Sequence, residues 1–330
     1  MKKFEFTGET KTTVNGIVLH RIKALVRIDL GYSTIIEVGD LGGWLEKEDN
    51  LSYLGNAWVS GDAEVHGNAK IYGDALISGY SRVFGNARVF GDARVYNHAF
   101  VFGDAQVSGY AWIYGNAQVF GDAVVADSAW VFGDAAVFGD AQVFGDAEVH
   151  GNAQVSGYSR VFGNAQVSGD AWIYGDAQVF GDAVVADSAW VFGDASVFGD
   201  SKVFGDAEVH GNALITGYSR VFGNAQVSGD AEVLGDAKIY GDSKVSDDAC
   251  IKKRDHILNI GPIGSRNEFT TFFRTKDRKI KVSCGCFLGT IDEFLEKVEQ
   301  THGDSKHTIV YKAAADIALA QIDTSDEDDA

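Results

Sequence analysis

The stretch Val101-Phe102-Gly103-Asp104-Ala105-Gln106 is one copy of a six-residue unit that determines the fold of this chain. From Val59 to Ile251 an aliphatic residue occupies every sixth position, 33 times without a gap. A period of six matches neither the 3.6-residue period of a helix nor the two-residue period of a flat strand. It is typical of a short strand that turns a corner and continues as the next strand, so the chain is predicted to coil into a solenoid.

The six places of the unit have different roles. The third place is nearly always Gly and the fourth is usually Asp or Asn, residue types that accept the left-handed backbone region of a tight corner. The first place is aliphatic and the fifth is usually Ala or Ser, so we expect both to point inward. The second place varies from Phe102 to Ser108 and Ala126. A narrow interior could not absorb that change in volume, so we expect the second and sixth places to point outward.

The Val-x-Gly-Asp/Asn-Ala-x units resemble the hexapeptide repeat of left-handed parallel β-helices, a family that includes many acyltransferases and the γ-class carbonic anhydrases. The resemblance covers about three fifths of the chain and implies both the left hand and a triangular coil of three units. The second place departs from the family, because it is often aromatic here and often Gly there. We therefore predict an all-β solenoid, a left-handed parallel β-helix of about 11 triangular coils.

The repeat divides the chain into four segments. Residues 1–52 break the period and are predicted to form an N-terminal β cap, because the first coil would otherwise expose unpaired strand groups. Residues 53–251 form the β-helix. Residues 252–322 are predicted to form a small α+β domain, in which a capping box at Thr290–Glu293 begins the first of two helices. Residues 323–330 form an acidic tail that we expect to be disordered.

Two segments outside the repeat carry a second resemblance. Gly42-Gly43-Trp44-Leu45-Glu46-Lys47 and the stretch from Gly264 to Phe294 resemble segments of bacterial and prophage-encoded proteins of unknown function. The resemblance implies a phage or prophage origin. It supplies no mechanism.

Composition narrows the partners and the location. The chain has 47 acidic and 28 basic residues and a net charge of −19, so bare nucleic acid is a poor partner for the acidic β-helix. A basic protein partner is compatible with that charge, and a homo-oligomer is left open. No apolar run approaches the roughly 18 residues of a membrane span, and residues 1–6 lead into no signal-peptide core. Three cysteines suit a reducing compartment, so we predict a cytoplasmic protein without membrane contact.

Tryptophans recur one coil apart, at 18-residue spacing. Trp112 and Trp130 form one such pair, and Trp172 and Trp190 form another. One interpretation is an outward ladder in which neighbouring rings stack and shield each other. The other is an exposed aromatic band that binds a partner, and on that interpretation the four tryptophans are candidate binding residues.

The resemblance also raises the question of enzymatic activity. Acyltransferases of the family usually pair a catalytic His with a partner subunit and extrude a substrate loop, whereas these 33 units carry no insertion. His98 replaces the Asp or Asn of the fourth place and is the candidate general base; the alternative is a tolerated corner residue. His66, His150 and His210 are too far apart along the repeat to form the three-His zinc set of the carbonic anhydrases.

The C-terminal domain contains a two-thiol motif, Cys284-Gly285-Cys286. Together with Cys250 and either His256 or His302, it could supply the four ligands of a structural zinc ion. The alternative is that the thiols are free and buried.

The same domain is rich in basic residues, in contrast to the acidic repeat. They could bind an anion or an acidic partner, or they could form a solvated face that contacts the repeat's own Asp residues. The candidate binding residues among them are Arg266, Arg274, Lys276 and Arg278.

These observations favour a non-enzymatic binding or scaffold protein. We predict that it is phage or prophage encoded, needs no cofactor, and inhibits or sequesters a host factor through protein binding. The alternative is a hexapeptide-repeat acyl- or acetyltransferase that acts as a trimer and binds acetyl-CoA.

Overall fold

A computed structural model of the chain describes residues 2–31 and 33–325. It confirms the predicted fold class: a β-solenoid of about 12 turns with parallel sheets is followed by a small α+β region. The structure divides into two compact units, unit 1 (Met1–Gly175) and unit 2 (Asp176–Ala330). The predicted acidic tail falls outside the described residues from position 326 onward.

The described part of unit 1, residues 2–31 and 33–175, contains 25 strands and one short 3-10 helix, Glu48–Asn50. The strands are β1 (Phe4–Thr12), β2 (Val18–Ala24), β3 (Ile28–Asp29), β4 (Ile35–Ile36), β5 (Leu41–Leu45), β6 (Trp58–Val59), β7 (Glu64–Val65), β8 (Lys70–Ile71), β9 (Leu76–Ile77), β10 (Arg82–Val83), β11 (Arg88–Val89), β12 (Arg94–Val95), β13 (Phe100–Val101), β14 (Gln106–Val107), β15 (Trp112–Ile113), β16 (Gln118–Val119), β17 (Val124–Val125), β18 (Trp130–Val131), β19 (Ala136–Val137), β20 (Gln142–Val143), β21 (Glu148–Val149), β22 (Gln154–Val155), β23 (Arg160–Val161), β24 (Gln166–Val167) and β25 (Trp172–Ile173).

Each strand from β6 to β25 joins the sixth place of one unit to the first place of the next. Parallel pairing links residues 18 apart, as between Gln106 and Val124 of β14 and β17. Three units therefore make one coil, and unit 1 has three faces. The first face is β7-β10-β13-β16-β19-β22-β25, the second is β8-β11-β14-β17-β20-β23 and the third is β6-β9-β12-β15-β18-β21-β24.

The interior of the coils is built from the two predicted inward places. Val101 and Ala105 are fully buried, and the same two places are buried in the neighbouring units. Apart from the sixth places at the two ends of the repeat, Trp58 and Cys250, the second and sixth places face outward and are half-buried or exposed. Each coil therefore buries small aliphatic side chains against the coils before and after it, which is the packing that a repeat of this length needs.

The N-terminal strands extend the first face beyond the repeat. β1 and β2 pair antiparallel, β2 pairs antiparallel with β5, and β5 pairs parallel with β7. A second hairpin, β3 and β4, reaches the third face, where the Arg94 guanidinium donates to the carbonyl of Leu30 at 3.1 Å. These strands cover the open edge of the first coil.

Corner side chains form columns along unit 1 in which Asn donates to Asp one coil further on. The Asn116 amide donates to the Asp134 carboxylate at 2.8 Å, and Asn152 donates to Asp170 at the same distance. Asp122 lies in a column with acidic neighbours one coil away on either side, at 104 and 140. Neighbouring coils are about 4.8 Å apart, so these carboxylates repel one another.

We expect Asp122→Asn to stabilise unit 1 by about 0.5 kcal/mol, because it relieves that repulsion and supplies an amide donor. The measurement is the midpoint of urea unfolding at low salt. The matched control is Asn116→Asp, which removes an amide donor and should destabilise by a similar amount. Equal shifts of the same sign in the two variants would contradict the prediction.

Unit 2 continues the repeat and ends in the α+β region. Its elements are β26 (Gln178–Val179), β27 (Val184–Val185), β28 (Trp190–Val191), β29 (Ser196–Val197), β30 (Lys202–Gly205), β31 (Glu208–Val209), β32 (Leu214–Ile215), β33 (Arg220–Gly223), β34 (Gln226–Val227), β35 (Glu232–Val233), β36 (Lys238–Ile239), β37 (Lys244–Val245), β38 (Cys250–Ile251), a 3-10 helix (Arg254–His256), β39 (Ile257–Ile263), β40 (Glu268–Arg274), β41 (Ile280–Cys284), β42 (Phe287–Thr290), α1 (Ile291–His302) and α2 (Lys306–Gln321).

The α+β region is an antiparallel sheet, β39-β40-β41-β42, packed against α1 and α2. Its core includes Phe272 from β40, Phe294 from α1 and Tyr311 from α2. The predicted capping box is present, since the Thr290 hydroxyl accepts from the amide of Glu293 and the Glu293 carboxylate accepts from the amide of Thr290. The sheet joins the last coil of unit 2 through an antiparallel bridge between Ala249 and Thr275.

Candidate functional site

The third face of unit 1 has two aromatic columns side by side, which we call the aromatic band (Tyr96, Trp112, Tyr114, Trp130 and Phe132). Trp112 and Trp130 occupy the sixth place of neighbouring coils, and their rings stack with centroids 5.3 Å apart. Tyr96, Tyr114 and Phe132 occupy the second place and stack at 5.0 and 4.8 Å. The two columns also touch edge to face, between Tyr96 and Trp112 and between Tyr114 and Trp130.

Stacking leaves the ring edges of the band, rather than the ring faces, available to a partner. Trp130 is 39 % exposed. Burial raises the pKa of both Tyr96 and Tyr114, so their hydroxyls keep their protons and remain hydrogen-bond donors at neutral pH. The band can therefore offer apolar ring edges together with phenol and indole donors.

Charged residues border the tryptophan column at both ends. Arg94 pairs with Trp112 across neighbouring strands, and Glu148 pairs with Trp130. Arg94 donates to the N-terminal hairpin. Glu148 is half-buried, and the exposed carboxylate of Asp134 lies at the corner that ends the strand of Trp130.

The first face of unit 1 carries one column of stacked aromatic side chains, the arrangement that the ladder interpretation describes. Its second-place phenylalanines stack continuously at 4.8 to 5.0 Å; they are Phe84, Phe102, Phe120 and Phe138. The sixth places beside this column are Arg82, Phe100, Gln118 and Ala136, so one of the four is aromatic and no second column forms there. A doubled aromatic column thus distinguishes the third face from the single ladder of the first.

The four predicted tryptophans do not all lie in one patch. Trp112 and Trp130 stack on the third face, whereas Trp172 is on the first face, next to Gln154. Trp190 belongs to unit 2, where it pairs with Glu208. Trp172 and Trp190 are 37 % and 41 % exposed.

His98 lies on an exposed corner. Its ring stacks on Tyr80 with centroids 5.2 Å apart, and its backbone amide donates to the carbonyl of Gly115. His66 and His150 stack on phenylalanines within unit 1, and His210 does so in unit 2. The structure therefore places these histidines in the aromatic ladders, and within unit 1 each of His66, His98 and His150 stacks on a different ring.

The predicted basic residues of unit 2 lie in different environments. Arg274 is 3 % exposed, contacts the His256 ring at 3.1 Å and donates to the carbonyl of Ser325. Lys276 pairs with Glu232 of the repeat at 2.8 Å, and this hydrogen bond raises the pKa of the lysine. Arg278 lies in the β40–β41 turn with a positive φ. Lys276 thus contacts a carboxylate of the repeat, which was one of the two roles that the sequence analysis considered for these basic residues.

Arg266 lies apart from the other predicted basic residues, at a cavity of about 230 Å³ in the α+β region. Cys284, Cys286 and His302 line the same cavity. Cys250 is buried in β38 and is not part of that lining. Within residues 2–31 and 33–325 no three His, Cys, Asp or Glu side chains are placed to hold a metal ion, so the predicted zinc ligands are not assembled.

Sequence reasoning missed several members of these sites. Tyr96 and Tyr114 could have been found, because they recur at 18-residue spacing beside the tryptophans. Thr270 and Tyr311, which contact Cys284, had no such signal, since only the packing of β40 and α2 brings them to the thiol.

The fold and the repeat define the class: the chain is a β-solenoid repeat protein. Residues 81–97 match the family model described as YdcK Beta solenoid repeat. No curated protein matches the chain. In the part of the chain that the structure describes, no helix is long and apolar enough to cross a membrane.

Proposed function

We propose that this β-solenoid is a non-enzymatic protein-binding scaffold whose partner docks on the aromatic band. The observation that carries the proposal is the doubled column of Trp112 and Trp130 beside Tyr96 and Tyr114 on one face. Trp and Tyr dominate the binding energy of protein interfaces, because they bury large areas while their N–H and O–H groups still find partners. Clustered exposed aromatics on a folded surface are typical of such interfaces.

The partner is a protein with a basic rim. The chain carries a net charge of −19; Glu148 pairs with the exposed Trp130 across neighbouring strands, and Asp134 lies at the corner that ends the strand of Trp130. This charge steers basic partners toward the band and disfavours bare nucleic acid. We further propose that the partner is a host factor that the chain sequesters in the cytoplasm, in keeping with the prophage-encoded proteins that it resembles.

We expect the double variant Trp112→Ser/Trp130→Ser to weaken partner binding by more than about thirtyfold, because the loss of even one tryptophan hot spot costs about 2 kcal/mol or more. The measurement is quantitative capture of partner protein from host lysate, followed by titration of the enriched protein. The matched control is Phe102→Ser/Phe120→Ser, which removes one stacked aromatic pair from the first face. We expect the control to lose thermal stability to a similar degree and to bind normally.

Two results would contradict the proposal. In the first, the tryptophan variant is destabilised like the control and still binds the partner, so that the band is only a stacking ladder. In the second, light scattering on the same samples gives a trimer of the 35.4 kDa chain that binds acetyl-CoA. The transferase alternative predicts that result, with a second chain enclosing the exposed His98.

A further inference from the structure

The cavity in the α+β region of unit 2 contains two thiols. Cys284 ends β41, and Cys286 lies in the turn that leads into β42; both line the cavity of about 230 Å³. Phe287, Phe294 and Val298 contribute apolar wall. The cavity is independent of the aromatic band, which belongs to unit 1.

A tight turn separates the two cysteines by a single residue. Cys284 pairs with Phe287, so Gly285 and Cys286 form a two-residue hairpin turn in which Gly285 has a φ of 61°. Two consecutive Cα steps of about 3.8 Å, bent at such a turn, bring the ends within about 5–6 Å. A disulfide closes over Cα separations of roughly 4.4–6.8 Å. The Cα separation expected at this turn therefore lies within the range that a disulfide requires.

Hydrogen-bond donors surround the two sulfurs. The Thr270 hydroxyl donates to the Cys284 sulfur at 3.3 Å, and Tyr311 lies near the same sulfur. Burial and the nearby Cys284 raise the pKa of Tyr311, so the phenol stays protonated and can serve as a second donor. The Arg266 guanidinium lies 3.9 Å from the exposed Cys286 sulfur. Donors at both sulfurs stabilise the negative charge that passes between them during thiol–disulfide exchange.

Two cations at the cavity have no carboxylate partner. Arg266 and Lys297 line it, and none of the lining residues is acidic. Among the described residues neither forms an ion pair, whereas other cations of the region do: Lys276 with Glu232, Lys279 with Asp277, Lys281 with Asp248 and Lys312 with Glu299. Two cations without an acidic neighbour in the lining favour an anionic ligand at this cavity, although the chain as a whole has a net charge of −19.

We propose that Cys284 and Cys286 form a thiol–disulfide exchange centre that reacts with small anionic disulfides. The Cys286 thiolate attacks one sulfur of the substrate R–S–S–R; the S–S bond breaks, and the first R–S⁻ leaves with the proton that Cys286 gave up. The Cys284 thiolate then attacks the Cys286 sulfur and expels the second R–S⁻, which takes the proton of Cys284. Two electrons pass from the cysteine pair to the substrate, giving two R–SH and an intramolecular disulfide.

The first experiment follows the covalent products by intact mass under non-reducing conditions, after the reduced full chain is mixed with oxidised glutathione. We expect the wild type to lose two hydrogens and keep no glutathionyl group, and Cys284→Ser to stop with one glutathionyl group on Cys286. The matched control is Cys250→Ser, which should behave as wild type, because Cys250 is buried and burial raises the pKa of its thiol. A wild type that keeps a stable glutathionyl adduct, or that does not react, would overturn the proposal.

The second experiment tests the choice of an anionic substrate. We expect Arg266→Gln/Lys297→Gln to react about tenfold more slowly than wild type with oxidised glutathione at low ionic strength, because the electrostatic attraction is lost. The rate with the neutral 2-hydroxyethyl disulfide should fall less, because that reaction loses only the donor at the Cys286 sulfur; the activity that remains shows that the variant is folded. Lys312→Gln removes a cation that already has a carboxylate partner and should change neither rate. Equal rates of the double variant and the wild type with oxidised glutathione, or equal slowing with both disulfides, would contradict the anionic preference.

Discussion

Replacing Trp58 by alanine is expected to lower the free energy of unfolding of unit 1 by about 3–5 kcal/mol, the range for deleting a fully buried large aromatic side chain. Trp58 is fully buried and is among the largest such side chains in the chain. It lies on β6, in the first complete coil of the third face. The expected measurement is a lower midpoint of both thermal and urea unfolding.

The size of this effect follows from what Trp58 packs against. Gly42 of β5 lies so close that a side-chain carbon there would be 2.8 Å from the Trp58 ring and would also clash with Ile22 of β2. The indole therefore fills the space between the N-terminal strands and the first coil. Its loss leaves a cavity, because the pairing of β2, β5 and β7 keeps the surrounding backbone from closing around it. The N-terminal strands then lose packing contacts with the first coil and protect its edge less well.

The matched control for Trp58 is Trp130→Ala. Trp130 occupies the same sixth place but is 39 % exposed, with its main contact a stacked neighbour. Such a pair contributes about 1 kcal/mol beyond the area that it buries. If the two variants lost equal stability, Trp58 would be one more ladder member and not the anchor of the N-terminal strands.

Trp58 also shows where sequence prediction of the fold reaches its limit. The six-residue period places it outward, as it places Cys250 at the other end of the repeat, yet both are buried. The six-residue period predicts only the contacts between successive coils, because each unit packs against its neighbours along the axis. Burial at the ends depends on the N-terminal strands and on the α+β region, whose positions the repeat does not encode.

The number of turns illustrates the same limit. Counting units from Val59 gives 11 coils, whereas the structure has about 12 turns. The additional turn begins at β5, where Leu45 pairs with Val65, and continues at Leu51, which pairs with Ile71. The step from Leu51 to Val59 is eight residues rather than six, so the first turn is out of phase with the repeat.

The two candidate sites also differ in how far the sequence predicts them. Trp112 and Trp130 could be paired from the sequence, because an 18-residue spacing in a three-sided coil means adjacent strands. The set of Cys284, Arg266 and Tyr311 could not, since a hairpin turn, a loop and a helix bring them together. A repeat predicts contacts along its axis, and the α+β region has no repeat from which its contacts could be counted.

The corner glycines lead to the second large effect. Gly103 has a φ of 72°, and a side-chain carbon added there would be 2.9 Å from the backbone nitrogen of Gly121, one coil further on. Gly103→Ala is therefore expected to cost about 2 kcal/mol or more, from left-handed strain and from this contact. Yet four units already carry a residue other than Gly at the third place with φ between 56° and 60°; they are Asn97, Asp127, Asp187 and Asp247.

The aspartates show how a side chain is tolerated at that corner. The Asp127 carboxylate accepts a hydrogen bond at 3.1 Å from the backbone amide of Gly145, one coil further on, and Asp187 does the same with Gly205. In Gly103→Asp the new carboxylate could accept from the amide of Gly121 in the same way. The resulting Asp-Asp corner has a precedent in this chain at Asp247-Asp248.

We therefore expect the larger and charged substitution to be the milder one, with Gly103→Asp more stable than Gly103→Ala by about 1 kcal/mol, the net contribution of one hydrogen bond. Urea unfolding of the two variants at neutral pH measures the difference. Asp127→Ala is the matched control, because it keeps the left-handed corner and removes only the bond to Gly145, so it should lose about the same 1 kcal/mol. If Gly103→Asp were as unstable as Gly103→Ala, steric contact with Gly121 alone would select glycine at these corners, and the bond from Asp127 to Gly145 would not explain why an aspartate is accepted there.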